Sequence, residues 1–285
     1  MQNRVESSKR RGPVLNRRSA ITDAIMALEP RRLFSTTFTV NTFADQNDLT
    51  ASSVVSLRDA LSRAAATTGG ATIDVPGGTY TLTLGQLLVN STSGTVSLQP
   101  VSGTPIISAG SNNRVLDIAS NTASMSITGF EIENGYISTG PAVDGAGIYN
   151  AGNLTLTGSV VTSNRIAYQG TGSAVATNDA GAGIYNSGTL NVIASGITNN
   201  NDAQVDGENF GGGIYNAGQL IMAESTVSGD DADQGAGIFN ADGAYIQAST
   251  ISGNTANYEG GGISNAGTLT MANSTVANND AEYAG

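Results

Sequence analysis

The sequence predicts an all-β fold, a right-handed parallel β-helix (solenoid) with one N-terminal capping helix, and three observations predict it. A glycine-rich pattern recurs five times in register between residues 145 and 279. Within each copy apolar residues stand two apart, the spacing that puts side chains on one face of a strand. The composition suits short strands joined by turns: 37 of 285 residues are glycine and only 12% are charged, whereas helical globules need charged outer faces. A hydrophobic content of 39% suffices for a core.

Cysteine, histidine and tryptophan are all absent. The first absence removes disulfides, thiolate nucleophiles and cysteine-based metal sites, and the second removes the commonest general base and metal ligand. Charge is segregated. Residues 1–32 hold eight Lys/Arg against three acidic residues, whereas 33–285 hold four Arg (Arg58, Arg63, Arg114, Arg165) against twenty acidic residues, a balance of −16. So acidic a body repels nucleic-acid phosphates and anionic lipid, leaving divalent cations, neutral glycans and basic protein patches as partners.

Residues 1–35 read as a basic leader or sorting segment without stable structure. Arg4, Lys9, Arg10, Arg11, Arg17 and Arg18 precede a weakly apolar run from Ala20 to Leu28, which Asp23 interrupts. That run is too short and too charged for an ordinary secretory signal. Leu28-Glu29-Pro30-Arg31-Arg32-Leu33-Phe34-Ser35 resembles the LEPR-XLL motif found near the N-termini of large surface and secreted bacterial proteins. The resemblance implies an extracellular or cell-surface location. No stretch approaches the ~20 consecutive apolar residues of a membrane span.

Residues 36–70 read as a strand followed by an amphipathic capping helix. Thr36 to Val40 alternates as a short strand. Ser56 to Ala66 reads as a helix, with Ser56 as N-cap, Asp59 completing a capping box, and Val54, Leu57, Ala60, Leu61 and Ala64 as one apolar stripe. Thr72 to Leu82 then reads as strand, tight turn, strand, with the turn at Pro76-Gly77-Gly78. A β-helix has an open end of unpaired backbone and bare core, so a helix laid over the first coil removes an aggregation hazard. Val55 to Leu61 resembles the CSLREAI motif that opens many bacterial β-helix proteins, with Val55 in the Cys place, Asp59 for Glu and Leu61 for Ile.

Residues 71–285 read as the solenoid. Its five clear copies open at Gly145-Ala146-Gly147-Ile148-Tyr149-Asn150, Gly181 to Asn186, Gly211 to Asn216, Gly235 to Asn240 and Gly260 to Asn265. Six residues after each Ile stands Leu154, Leu190, Leu220, Ala244 or Leu269, and eight after stands Leu156, Val192, Met222, Ile246 or Met271. Thirteen after stands Val161, Ile197, Val227, Ile251 or Val276, and sixteen after stands Asn164, Asn200, Asp230, Asn254 or Asn279. The Ile positions are 36, 30, 24 and 25 residues apart, so a coil of about 24 carries insertions in the first two intervals, on one edge. Gly at both ends of the opening serves positive φ and close approach of coils, and Asn suits left-handed corners and an axial amide ladder. The length after Ala71 leaves room for roughly nine coils, a rod of about 40 Å at ~4.8 Å per coil. Residues 278–285 approach another opening with no polar cap, which implies a longer array or end-to-end association. The repeats resemble those of the polymorphic outer membrane protein family and of bacterial pectin-lyase-like β-helices generally; this implies adhesion, surface display or passenger-domain work.

Two groups of residues carry candidate chemistry. Tyr149, Tyr185, Tyr215 and Phe239 share one repeat position, which suits either a glycan platform or a stacked ladder. Asp202, Asp206, Glu208, Asp230, Asp231 and Asp233 gather at the variable edge, as candidate calcium ligands or as a solvated edge that deters association. The residues favour a structural or adhesive protein binding a glycan or surface protein, with no catalytic residue assigned and no cofactor beyond calcium. The rival is a polysaccharide lyase or glycoside hydrolase, which would need a carboxylate pair or a basic residue beside a metal.

Overall fold

The computed structural model describes residues 36–50, 53–110, 113–138, 144–167, 179–202 and 209–283. The expected leader over 1–35 lies outside them. A short strand β1 (Thr36–Thr39) is followed by one helix, α1 (Leu57–Ala65), then by a long strand β2 (Ala71–Thr81), β3 (Leu87–Val89) and a second long strand β4 (Thr95–Ser108). From there on the chain repeats one coil of four short strands, such as Ile148–Asn150, Asn153–Thr157, Val160–Thr162 and Arg165–Ile166. Stacking of coils builds three sheets, of fifteen, seven and six strands, and the strand pairs are parallel throughout. The fold is therefore the expected parallel β-helix.

The capping helix forms for the reasons visible in its sequence. The Asp59 amide donates to Ser56 Oγ at 3.1 Å and the Ser56 amide donates to the Asp59 carboxylate at 3.2 Å, a closed capping box that satisfies two orphan amides. Leu57, Ala60, Leu61 and Ala64 are buried. The apolar stripe differs in one member: Val54 precedes the N-cap and is exposed, while Val55 is buried in its stead. Arg58 fastens the helix to the coil, donating to both Asp45 carboxylate oxygens at 2.7 and 3.0 Å and to the carbonyls of Gly85 and Gln86.

Residues 71–81 are one continuous strand, not the expected strand, turn and strand. β2 pairs in parallel with β4 along its whole length and absorbs Pro76-Gly77-Gly78 as an irregularity in register. Proline lacks the ladder amide, so it is tolerated where the register shifts. The levels that start at Val96, Met125, Leu154 and Leu190 take 29, 29, 36 and 30 residues to reach their partners on the next level, against 24 or 25 at the others. Eight strands, not nine, consequently follow one another from β2 along the largest sheet.

The repeat register is the one read from the sequence. Ile148, Ile184, Ile214, Ile238 and Ile263 form one column of directly paired residues, and the first four are fully buried. The Leu154, Leu156 and Val161 columns are likewise in register and join a core running the length of the solenoid. In the last described level Leu269 and Met271 are only partly buried and Val276 is exposed.

Polar columns close the corners. Asn150, Asn186, Asn216, Asn240 and Asn265 pass a hydrogen bond from Nδ2 to the next Oδ1 at 2.7–2.8 Å. The Asn164 column does the same at 2.9–3.0 Å except from Asp230, whose carboxylate does not donate to Asn254, and it also accepts the backbone amide of the coil before it. A third column, Ser159, Ser195, Ser225, Ser249 and Ser274, accepts amides through Oγ at 3.1–3.2 Å. Buried backbone amides at bends would otherwise be orphaned. The two glycines of each opening divide the labour: Gly181 has φ +68°, while a Cβ on Gly183 would lie 2.5 Å from the Gly213 carbonyl. Left-handed corners fall one residue before the ladder Asn, at Ser163 and Asn199, not on it.

Candidate functional site

Between the inward Ile and inward Asn of each opening, one side chain per coil points outward. Tyr149, Tyr185, Tyr215 and Phe239 occupy that place, all half-buried. Their rings stack with centroids 5.1, 5.2 and 5.3 Å apart and planes within 4–7° of parallel. The coil rise sets this spacing, so each inner ring has both faces against its neighbours. The head of the stack is closed too. Arg114 places its guanidinium 4.9 Å from the Tyr149 ring centre, held there by Gln86, by Asp117 and by the carbonyls of Asp144 and Gly145. A sugar ring therefore finds ring edges and tyrosine hydroxyls along most of this ladder, and a ring face without a stacked ring or guanidinium only where Phe239 meets the Ser264 level.

A cleft of about 240 Å³ opens beside the ladder, lined by Asp144, Ala180, Tyr185, Phe210, Tyr215 and Phe239. Its shape comes from the column four residues before each repeat Ile, occupied by Asp144, Ala180, Phe210, Gln234 and Glu259. Phe210 stands edge-on to Tyr215 and Phe239, with centroids 6.3 and 4.8 Å away. Ala180 leaves a gap beneath it, and Asp144 closes the other side, accepting the Ala180 amide at 3.1 Å. Burial raises the Asp144 carboxyl to about 6, against the lowering pull of the Ala180 amide and of Arg114. Burial and the nearby Asp144 charge raise the Tyr185 hydroxyl to about 12 and push Tyr215 up as well. At neutral pH the cleft thus presents one carboxylate and two neutral phenols against an aromatic wall.

The six acidic residues singled out in the sequence do not form one group. Asp206 and Glu208 lie outside the described residues. Asp231 points outward, in the column of Arg165 and Asn201. Asp230 belongs to the Asn164 ladder, where its Oδ1 accepts from Asn200 Nδ2 at 2.9 Å. Asp202 and Asp233 are buried and near enough to couple electrostatically. With them stand Asp179 and Asn209, both fully buried, whose column lies five residues before each Ile. Sequence reasoning missed Asp144, Ala180, Phe210, Asp179 and Asn209. The available signal was that these two columns change identity from copy to copy beside the constant opening glycine.

Among the described residues no three acidic side chains already converge as a formed metal centre would, and no helix is long and apolar enough to cross a membrane. Comparison with protein families, with curated proteins and with solved structures finds no match for the chain.

Proposed function

We propose that this is an exported or cell-surface structural protein whose β-helix presents a repetitive surface for adhesion, and that the cleft beside the aromatic ladder is where it meets its ligand. The observation that carries the reading is the contrast between columns. Seven or more positions per coil are held nearly constant by stacking, while the edge bearing the cleft combines varied side chains with the length insertions. A rigid rod with one variable edge serves recognition, since a rigid scaffold spares a binding site ordering entropy. The cleft offers phenol hydroxyls, a carboxylate and an aromatic wall, which suits a hydroxyl-rich glycan or a protein surface carrying a basic side chain; the −16 body argues against nucleic acid. Export rests on the LEPR-XLL and CSLREAI resemblances together with the repeat pattern.

Binding of the purified chain to a panel of neutral and acidic polysaccharides and to bacterial envelope fractions tests the reading. Retention that Phe210→Ala and Tyr185→Ala reduce at least tenfold supports it, and absence of retention on all of them overturns it. The Asp144 carboxyl, titrating near 6 inside a cleft, favours a second reading, in which it protonates a glycosidic oxygen as a general acid. Release of reducing ends or unsaturated products from pectin, alginate or glycosaminoglycan, abolished in Asp144→Asn, would establish that reading in place of the first.

A further inference from the structure

The third sheet has its own small interior. Its inward column runs Ile137, Ile166, Asp202, Ala232, Ala256 and Ala281, by pairing of successive strands. Ile137 and Ile166 pack with Ala146 and Ala182 below, and Ala232 and Ala256 pack with Ala236 above. Asp202 separates these two apolar clusters, a carboxylate in a place that otherwise holds Ile or Ala. It is 1% exposed, and neither of its carboxylate oxygens has a hydrogen-bond partner among the described residues.

Everything facing it is oxygen-rich. Asp179, Asn209 and Asp233 stand on successive levels, each preceding one residue of the Ala180, Phe210 and Gln234 bridges. Asn209 touches both neighbours: its amide donates to Asp233 Oδ2 at 3.2 Å, and its Nδ2 reaches the Asp202 carbonyl at 3.4 Å. The Asn209 Oδ1 is itself buried and unpartnered. Asp179 and Asp233 are the leading charges acting on Asp202. Asn257 Nδ2 donates to the far oxygen of Asp233 at 2.9 Å. An uncompensated buried carboxylate is strongly disfavoured, and among the described residues the two Asp202 carboxylate oxygens and Asn209 Oδ1 find no donor.

We propose that Asp202, Asp179, Asp233 and the Asn209 side-chain carbonyl form an internal site for a hard divalent cation, calcium by its all-oxygen donor set. Calcium accepts six to eight oxygens in flexible geometry, including carboxylates, amide carbonyls and water. The aspartates do not yet converge at metal distances, so the ion draws their carboxylates inward as it binds. It also ties together the three successive levels of Asp179, Asn209 and Asp233. The site is distinct from the cleft, and it excludes Asp230 and Asp231, whose side chains face elsewhere.

Thermal unfolding of the full chain, stripped with chelator and titrated with calcium chloride at constant ionic strength and pH 7.5, tests the proposal. The wild type should gain about 5–10 °C in Tm at calcium 100-fold above its Kd. Asp202→Asn and Asp202→Ile should lose that gain. Asp202→Ile continues the Ile137 and Ile166 column, so in chelator it should unfold no earlier than the wild type. A wild type indifferent to calcium, a calcium gain that survives in Asp202→Ile, or a gain that sodium chloride of equal ionic strength reproduces would each overturn it.

Discussion

Asp230 is the one carboxylate in a column of asparagines, and the substitution Asp230→Asn isolates what that exchange does. At every other level the ladder Nδ2 donates to a backbone carbonyl of the coil before it: Asn164 to Ile132, Asn200 to Val161, Asn254 to Val227 and Asn279 to Ile251. Asp230 Oδ2 occupies the same spot. A Cβ built on Gly213 would meet it at 2.7 Å, just as one on Gly147, Gly183, Gly237 or Gly262 would meet Nδ2 at 2.7–2.9 Å. The register therefore aims Oδ2 at the Ile197 carbonyl, acceptor against acceptor, and the atom has no partner. Burial accordingly pushes the Asp230 carboxyl well up, although the Asn200 amide and Nδ2 pull the other way. Relieving one buried orphan is worth about 1–3 kcal/mol, so Asp230→Asn should raise Tm at pH 7 by roughly 2–10 °C for a chain of this size. A carboxyl raised on folding contributes its stability below the unfolded value of about 4 and loses it as pH rises through the folded value. The gain from Asp230→Asn should therefore shrink towards zero near pH 4, where the protonated acid already donates. Circular dichroism melts of both proteins at pH 4 and pH 7 make the comparison. Equal gains at the two pH values, or a loss at pH 7, would refute the raised Asp230 carboxyl and its orphaned Oδ2.

Asp144, Asp202, Asp230 and Asp231 are all raised by burial, so without divalent cations the wild type should be most stable near pH 4 and lose stability up to and beyond pH 6. Asp144→Asn should remove up to about 3 kcal/mol of that loss, read as a flatter plot of urea midpoint against pH; an unchanged slope contradicts the raised Asp144. Tyr185→Ala deletes a ring stacked on both faces and should cost about 2–4 kcal/mol, and a cost below about 0.5 kcal/mol in denaturant titration would show that the ladder is not stabilising. Gly183→Ala should cost about 3–5 kcal/mol because its Cβ meets the Gly213 carbonyl and Asn200 Nδ2. Gly158→Ala, with positive φ but no atom within 4 Å of a new Cβ, should cost only about 1–2 kcal/mol. Comparable losses in the two glycine variants would remove coil-to-coil contact as the reason for the third glycine.

The solenoid was legible because its core is a one-dimensional repeat. Ile148, Leu154, Leu156 and Val161 each predict their own partners one coil away, and five copies make chance agreement negligible. The capping box was equally local, needing only Ser56 and Asp59. Continuity of β2 was not legible, because Pro-Gly-Gly reads as a turn until the matching β4 is known to lie beside it and to share its irregular register. The serine column stood eleven residues after each Ile and was visible in principle, yet serine in a turn has a sufficient local explanation. The cleft was beyond sequence reasoning for another reason. It depends on Ala180 being small between Asp144 and Phe210, which are 66 residues apart in sequence, and the columns that place them carry no repeated residue type.

Those columns vary because of coil length. A residue within a ladder has like partners above and below, so any change must be matched at both levels or leave an unsatisfied group or a void. Insertions release this constraint where they enter, and the first two intervals take up their extra residues between the third-sheet strand and the opening glycine. Residues four and five before each Ile are therefore freed from identity with their neighbours, and Asp144, Asp179, Ala180, Asn209 and Phe210 all stand there. Where the interval shortens to 24 residues the same two columns are drawn into strands, Asp231–Gln234 paired with Thr255–Glu259. Both the cleft and the acidic interior thus lie beside the points where the insertions enter, each reaching one level into the 24-residue coils. Replacing residues 168–178 and 203–208 by the turn of the 24-residue coil should extend the third sheet and raise stability, while lowering ligand retention and calcium response together; retention unchanged in such a chain would place recognition elsewhere on the rod.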